Sequence, residues 1–216
     1  MKYILFDLDG TLTDPKEGIT KSFQYALKHM GIIEENLDNL EKVIGPPLKD
    51  SFMEFYGMNE REAVEAVAKY RERFEKIGLY ENEIFDGIKE MLQHLQKEGF
   101  LLAIASSKPT VFVKRICEHF EIKQYFHHIV GSFLDGTRVK KEEVVEEAIR
   151  EFGEKDLEKI IMVGDRKFDI EGAHRMGLKA IGVAFGYGGR KELEEAGADY
   201  IADTVEELER LLFELV

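Results

Sequence analysis

The stretch Ile4 to Asp14, ILFDLDGTLTD, decides how the chain reads. Apolar residues surround Asp7 and Asp9, and Gly10 and Thr11 follow at once. A buried carboxylate without a partner is very costly. Two of them in the most strand-like stretch of the chain therefore require a cation between them, or an open strand end at which they do chemistry.

Outward from this stretch, Tyr3–Phe6 reads as the first strand. Asp14, Pro15 and Glu17 read as the N-cap, first-turn proline and capping-box glutamate of a helix. Ile19, Phe23, Leu27 and Met30 recur along it at helical spacing, and Gly31 can end it. Further helices are expected over 36–44, 48–56 and 59–77, the last with Asn59 and Glu62 as a capping box. After Phe85-Asp86-Gly87 the period changes. Apolar strands (FLLAIASS, HHIVG, KIIMVGD, Lys179–Phe185 and Tyr200–Ala202) alternate with helical segments. Continuous apolar strands alternating with helices predict an α/β fold with a parallel sheet covered on both faces. The strandless segment 15–83 then reads as a helical insertion, leaving 1–14 and 84–216 as the α/β core.

Ligands in open α/β sheets bind at the carboxyl ends of the strands. Three strands end in polar residues: Asp7 to Thr11, Ser106-Ser107-Lys108, and Gly164-Asp165 with Asp169 four residues on. Each short motif alone is a common turn or helix start. Their joint occurrence at strand ends is what points to a site. Three or four crowded carboxylates favour a hard divalent cation with oxygen ligands, Mg²⁺ first.

Composition narrows the options. The 216 residues are 44% hydrophobic, enough for a proper core. The net charge of −13 argues against general nucleic-acid binding, which needs a basic footprint. No run of about 20 apolar residues predicts a membrane span, and no signal-peptide layout is read near the start. The single cysteine, Cys117, fits a reducing cytoplasm and lies on an apolar helical face with Ile116 and Phe120, as a core residue would.

The ordered set DLDGT, IASSK and GDRKFD closely resembles the haloacid dehalogenase superfamily of phosphohydrolases, nearest in flavour to its phosphoglycolate-phosphatase-like members. That resemblance implies a Rossmann-like core with an inserted helical cap. It implies that Asp7 attacks phosphorus to form an aspartyl phosphate, and that Asp9 serves as general acid and then general base. Mg²⁺ would be held by Asp7, the backbone carbonyl of Asp9, and Asp165, with Asp169 supporting the metal shell. Amides of Gly10 and Thr11 and the Ser106 hydroxyl would hold phosphoryl oxygens, with Ser107 beside them and Lys108 a further phosphate partner. The family's usual Lys-Pro-x-Pro is absent; GTRVKKEEVV stands in the gap, so Lys140 and Lys141 both fit, with Lys141 preferred as the residue before a helix start.

The expected partner is a small phosphorylated metabolite: a phosphoglycolate-like acid, a sugar phosphate or a mononucleotide, handled by a cytoplasmic monomer or homodimer. A dehalogenase would need neither Asp9 as an acid nor a metal. A phosphomutase would keep every motif. A phospho-acceptor signalling module would need no large helical insertion. Lys16, Gly45 and Lys49 fall where such insertions face the site, though surface or turn roles suit them better. Phe23 and Phe52 read as core.

Overall fold

A computed structural model describes residues 3–215. The chain divides into two compact units: one built from the chain up to Asp14 and from Ile84 onward, the other from Pro15–Glu83.

The first unit is α/β. Its elements are β1 (Tyr3–Phe6), β2 (Thr13–Asp14), then, after the other unit's α1 (Lys16–His29), α2 (Leu48–Tyr56) and α3 (Glu60–Arg73), β3 (Glu83–Ile84), α4 (Ile88–Lys97), β4 (Leu101–Pro109) and α5 (Thr110–His119). It continues with β5 (His128–Ser132), α6 (Lys141–Phe152), β6 (Ile160–Gly164), α7 (Lys167–Arg175), β7 (Lys179–Val183), α8 (Gly189–Glu195), β8 (Tyr200–Ala202) and α9 (Val205–Glu214). Among the described residues, six strands form one sheet in the order β5-β4-β1-β6-β7-β8. The pairings are parallel. β2 and β3, of two residues each, form a separate two-stranded ribbon.

This topology follows from the sequence pattern. Ile4, Leu5 and Phe6, Leu102 to Ala105, and Ile160 to Val163 are buried in unbroken runs, as strands covered on both faces require. The chain builds outward from β1 to β4 and β5, then returns to β6 on the other side of β1. The order therefore reverses beside β1, the place where such sheets bind ligands.

In the second unit, Phe23 of α1 and Phe52 of α2 stack with centroids 4.0 Å apart and are fully buried. They are core residues. Stacking of this kind contributes about 0.5–1.5 kcal/mol beyond the burial of the rings. α3 starts at the capping box read from sequence, with Asn59 and Glu62 exchanging side-chain and backbone bonds.

Three expectations are corrected. Asp14 does not cap α1: the N-cap is Pro15, without a side-chain bond, and Asp14 lies in β2. Residues Leu37–Val43 form a 3₁₀ segment rather than an α-helix. Its buried residues, Leu40 and Val43, are spaced by three, which suits a helix of three residues per turn. Finally, α3 ends at Arg73, and Phe74–Gly78 continues as a π-helical turn.

Candidate active site

β1 delivers Asp7 to the sheet's carboxyl edge, where its N–H still donates to Val163 of β6 at 2.8 Å. The chain then turns tightly. The N–H groups of Leu12 and Thr13 both donate to the Leu8 carbonyl, at 2.9 and 3.0 Å, and that of Gly10 donates to Thr13 O at 2.7 Å. Gly10 has φ +82°, and a Cβ there would lie 2.2 Å from an Asp165 carboxylate oxygen. Only glycine satisfies both the left-handed backbone and that close approach. β6 ends at Gly164 and delivers Asp165. Asp169 is the third residue of α7, and its Oδ2 accepts from the Arg166 N–H at 3.0 Å, capping the helix start.

One oxygen from each of Asp7, Asp165 and Asp169 falls within 4.8 Å of the others. All three side chains are buried. Lys141, the first residue of α6, is 6% exposed. Its ammonium lies 2.8 Å from Asp7 Oδ1, 2.7 Å from Asp169 Oδ1 and 3.0 Å from the Ala105 carbonyl. Lys140, one residue earlier, is exposed. Asp165 Oδ2 accepts the Tyr187 N–H at 2.8 Å, and Oδ1 accepts the Thr11 hydroxyl at 3.5 Å.

The electrostatics follow from burial. Loss of water raises the Asp165 carboxyl well above the usual carboxylate range, and the Asp169 and Asp7 carboxylates push it further. Burial also raises Asp169, with the Lys141 charge opposing. Burial works against the Lys141 ammonium, but Asp169 and Asp7 more than offset this and hold it above its ordinary value. Such a set of buried oxygen donors carries excess negative charge. It is the donor chemistry a hard divalent cation takes, so the residues fit one.

Asp9 stands apart from this cluster. Its Oδ1 accepts from Lys108 Nζ at 2.7 Å, in a pair that is nearly closed to solvent. Burial raises the Asp9 carboxyl and Lys108 opposes the rise. The register explains how Lys108 reaches it. Ser106 pairs with Gly131, but the next pair is Pro109 with Ser132, so Ser107 and Lys108 bulge out of β4. A bulge of this kind re-aims side chains at a strand end. Ser106 is buried at the same edge, its Oγ accepting the Lys108 N–H at 3.3 Å, and the Ser107 carbonyl accepts from Ser132.

The structure thus brings Asp7, Asp165, Asp169 and Lys141 together, and Asp9 with Lys108. It does not present the Gly10 and Thr11 amides to an anion, because both donate within the loop, to Thr13 O and Leu8 O. Lys16 lies in the other unit, held by Asp38 and Glu41, and Lys49 pairs with Glu60. One contributor was missed from sequence. Tyr187 donates its N–H to Asp165 and its phenol to Asp14. The signal was there in the glycines around it, FGYGG, at the end of a predicted strand.

The haloacid dehalogenase-like hydrolase family matches residues 4–183. The chain belongs to that family. Among its relatives, a 5'-nucleotidase of Pseudomonas aeruginosa is 52% identical over 88% of this chain and 86% of its own. The tyrosine-protein kinase PtkA of Mycobacterium tuberculosis is 36% identical over 97% of this chain and 72% of its own. The crystal structure of a predicted phosphatase from Clostridium acetobutylicum superposes with a TM-score of 0.96 at 48% identity, covering 99% of this chain and 98% of that one. The family's α/β architecture is the one described above, and the enzyme class of this member is phosphatase. Among the described residues, no helix is long and apolar enough to cross a membrane.

Proposed function

We propose that the protein hydrolyses a small phosphate monoester, with a divalent cation of the Mg²⁺ type, through an aspartyl phosphate on Asp7. The observation that carries this reading is the buried cluster of Asp7, Asp165 and Asp169, of which Asp7 and Asp169 share the Lys141 ammonium. The cation would be held by those three carboxylates and the Asp9 backbone carbonyl. When bound, it supplies positive charge against the carboxylates and the phosphoryl oxygens.

The remaining steps belong to the chain. Asp7 attacks phosphorus, which splits one hard displacement into two easier ones. Asp9 protonates the departing alkoxide, then takes a proton from the water that attacks the acyl phosphate. Lys141 holds Asp7 in place and neutralises charge that builds on the phosphoryl group. The Ser106 hydroxyl and, once released from Asp9, the Lys108 ammonium bind phosphoryl oxygens. Residues 15–83 act as a cap that limits substrate size and excludes water.

A 5'-mononucleotide heads the substrate classes, ahead of sugar phosphates and small acid phosphates, because the 52% identical relative is a 5'-nucleotidase. A panel of these esters with Mg²⁺, each repeated after exhaustive chelation, tests the reading. Phosphate release that needs the metal is expected; release that survives chelation contradicts it. A second reading, phosphoryl transfer to a tyrosine, is favoured by the 36% identical kinase. It predicts phosphorylated peptide from ATP rather than free phosphate from a mononucleotide. Isomerisation of a sugar phosphate without phosphate release would instead indicate a mutase.

A further inference from the structure

β7 ends at Val183, and the chain reaches α8 through Ala184-Phe-Gly-Tyr-Gly188. This turn is pressed against Asp165. A Cβ on Gly186 would lie 2.3 Å from both Asp165 Cβ and the Gly10 carbonyl, and one on Gly188 would lie 2.3 Å from the Asp165 carbonyl. Between them, Tyr187 makes two bonds in different directions. Its N–H donates to Asp165 Oδ2 at 2.8 Å, and its half-buried phenol donates to Asp14 Oδ1, at the end of β2. The other partner of the Asp165 carboxylate, the Thr11 hydroxyl, is at 3.5 Å, the outer limit for a hydrogen bond. The short bond that orients Asp165 therefore comes from a main-chain amide in a glycine-flanked turn. Glycine leaves such a turn little stiffness of its own. Two side chains tether it: Phe185, packed edge-on against Phe85 with centroids 5.3 Å apart, and the Tyr187 phenol, which alone is tied to a carboxylate.

We propose that Tyr187 is a positioning residue: its phenol, anchored on Asp14, holds the turn so that its own N–H fixes the Asp165 carboxylate for the divalent cation. This rests on the reading that Asp7, Asp165 and Asp169 hold that cation. Partners that orient a metal-binding carboxylate typically change metal affinity by about 10–100-fold when removed.

The test is calorimetric titration of MgCl₂ into the full chain, with no substrate, for the wild type, Tyr187→Phe, Asp14→Ala and the double variant. Thermal melts of each accompany it. Tyr187→Phe keeps the amide and nearly all the volume, so its melt should stay cooperative. The expected result is Mg²⁺ binding weakened about tenfold by Tyr187→Phe, and a double variant no weaker than Asp14→Ala alone, since both changes remove the same phenol–carboxylate bond. Tyr187→Phe binding within about twofold of wild type, or losses that multiply in the double variant, overturn the proposal. A wild type that takes up no Mg²⁺ overturns the cation reading itself, and is distinguished by the first titration.

Discussion

Lys141 Nζ lies 2.8 Å from Asp7 Oδ1, a contact between residues 134 positions apart in sequence. The same ammonium balances Asp169 at 2.7 Å. Lys141→Met keeps the length of the side chain and removes the charge. Breaking a buried pair from one side costs about 3–5 kcal/mol, so the metal-free melting temperature should fall. Adding Mg²⁺ should recover part of the loss, because a cation offsets the uncovered carboxylates. Turnover should drop on the order of 10²–10³-fold, the effect of removing one preorganised electrostatic partner. Steady-state assays and melts with and without chelator check both. A variant with near-normal turnover would show that Lys141 is structural.

Asp9 is assigned to proton transfer, and leaving groups discriminate that role. Asp9→Asn should slow hydrolysis of an alkyl phosphate by about 10²–10⁴-fold. An aryl ester with an acidic phenol needs no proton to depart, so its first half-reaction should suffer far less. Burst kinetics with the aryl ester should then show a phosphoenzyme accumulating. Equal slowing of both esters would remove Asp9 from the acid role.

Gly10 is fixed by two constraints at once: a φ of +82° and the Asp165 carboxylate where a Cβ would stand. Gly10→Ala should cost about 1–2 kcal/mol from the left-handed backbone alone. It should also push Asp165 aside and weaken Mg²⁺ binding. Chemical denaturation and metal titration measure the two effects separately. Intact Mg²⁺ affinity would mean that the loop and Asp165 move independently.

Burial pushes the Cys117 thiol up to about 12. At pH 8 it is therefore protonated in the folded chain, and the thiolate is the reactive form. The native protein should resist alkylation by iodoacetamide and react promptly once unfolded in guanidinium. Rapid labelling of the native protein would place Cys117 outside the core.

The strands and the three polar strand ends were legible because each is a local pattern: an unbroken apolar run followed by Asp, Ser or Gly. The Asn59–Glu62 capping box was legible for the same reason. Asp14 was not. Its neighbours Pro15 and Glu17 imitate a helix start, yet its carboxylate is claimed by Tyr187, 173 residues away. Leu37–Val43 misled because an i, i+3 pair of apolar residues is shared by 3₁₀ and α periods, and a segment this short leaves them unresolved. Lys140 and Lys141 were close to indistinguishable by spacing. They separate only once α6 is placed, with Lys141 facing the carboxylates and Lys140 facing water.

Phosphorylation of Asp7 is the step on which the mechanism depends. Its most direct test is a single-turnover reaction with Asp9→Asn and a good substrate ester in Mg²⁺, quenched in acid and followed by mass spectrometry of the peptide that contains Asp7. Phosphate is expected on Asp7 itself, at a level that rises and then decays with turnover, and none in the Asp7→Asn protein, which should be inactive yet folded. Continued phosphate release with no phosphate on Asp7 at any time, or turnover by Asp7→Asn above a few per cent of normal, would contradict it.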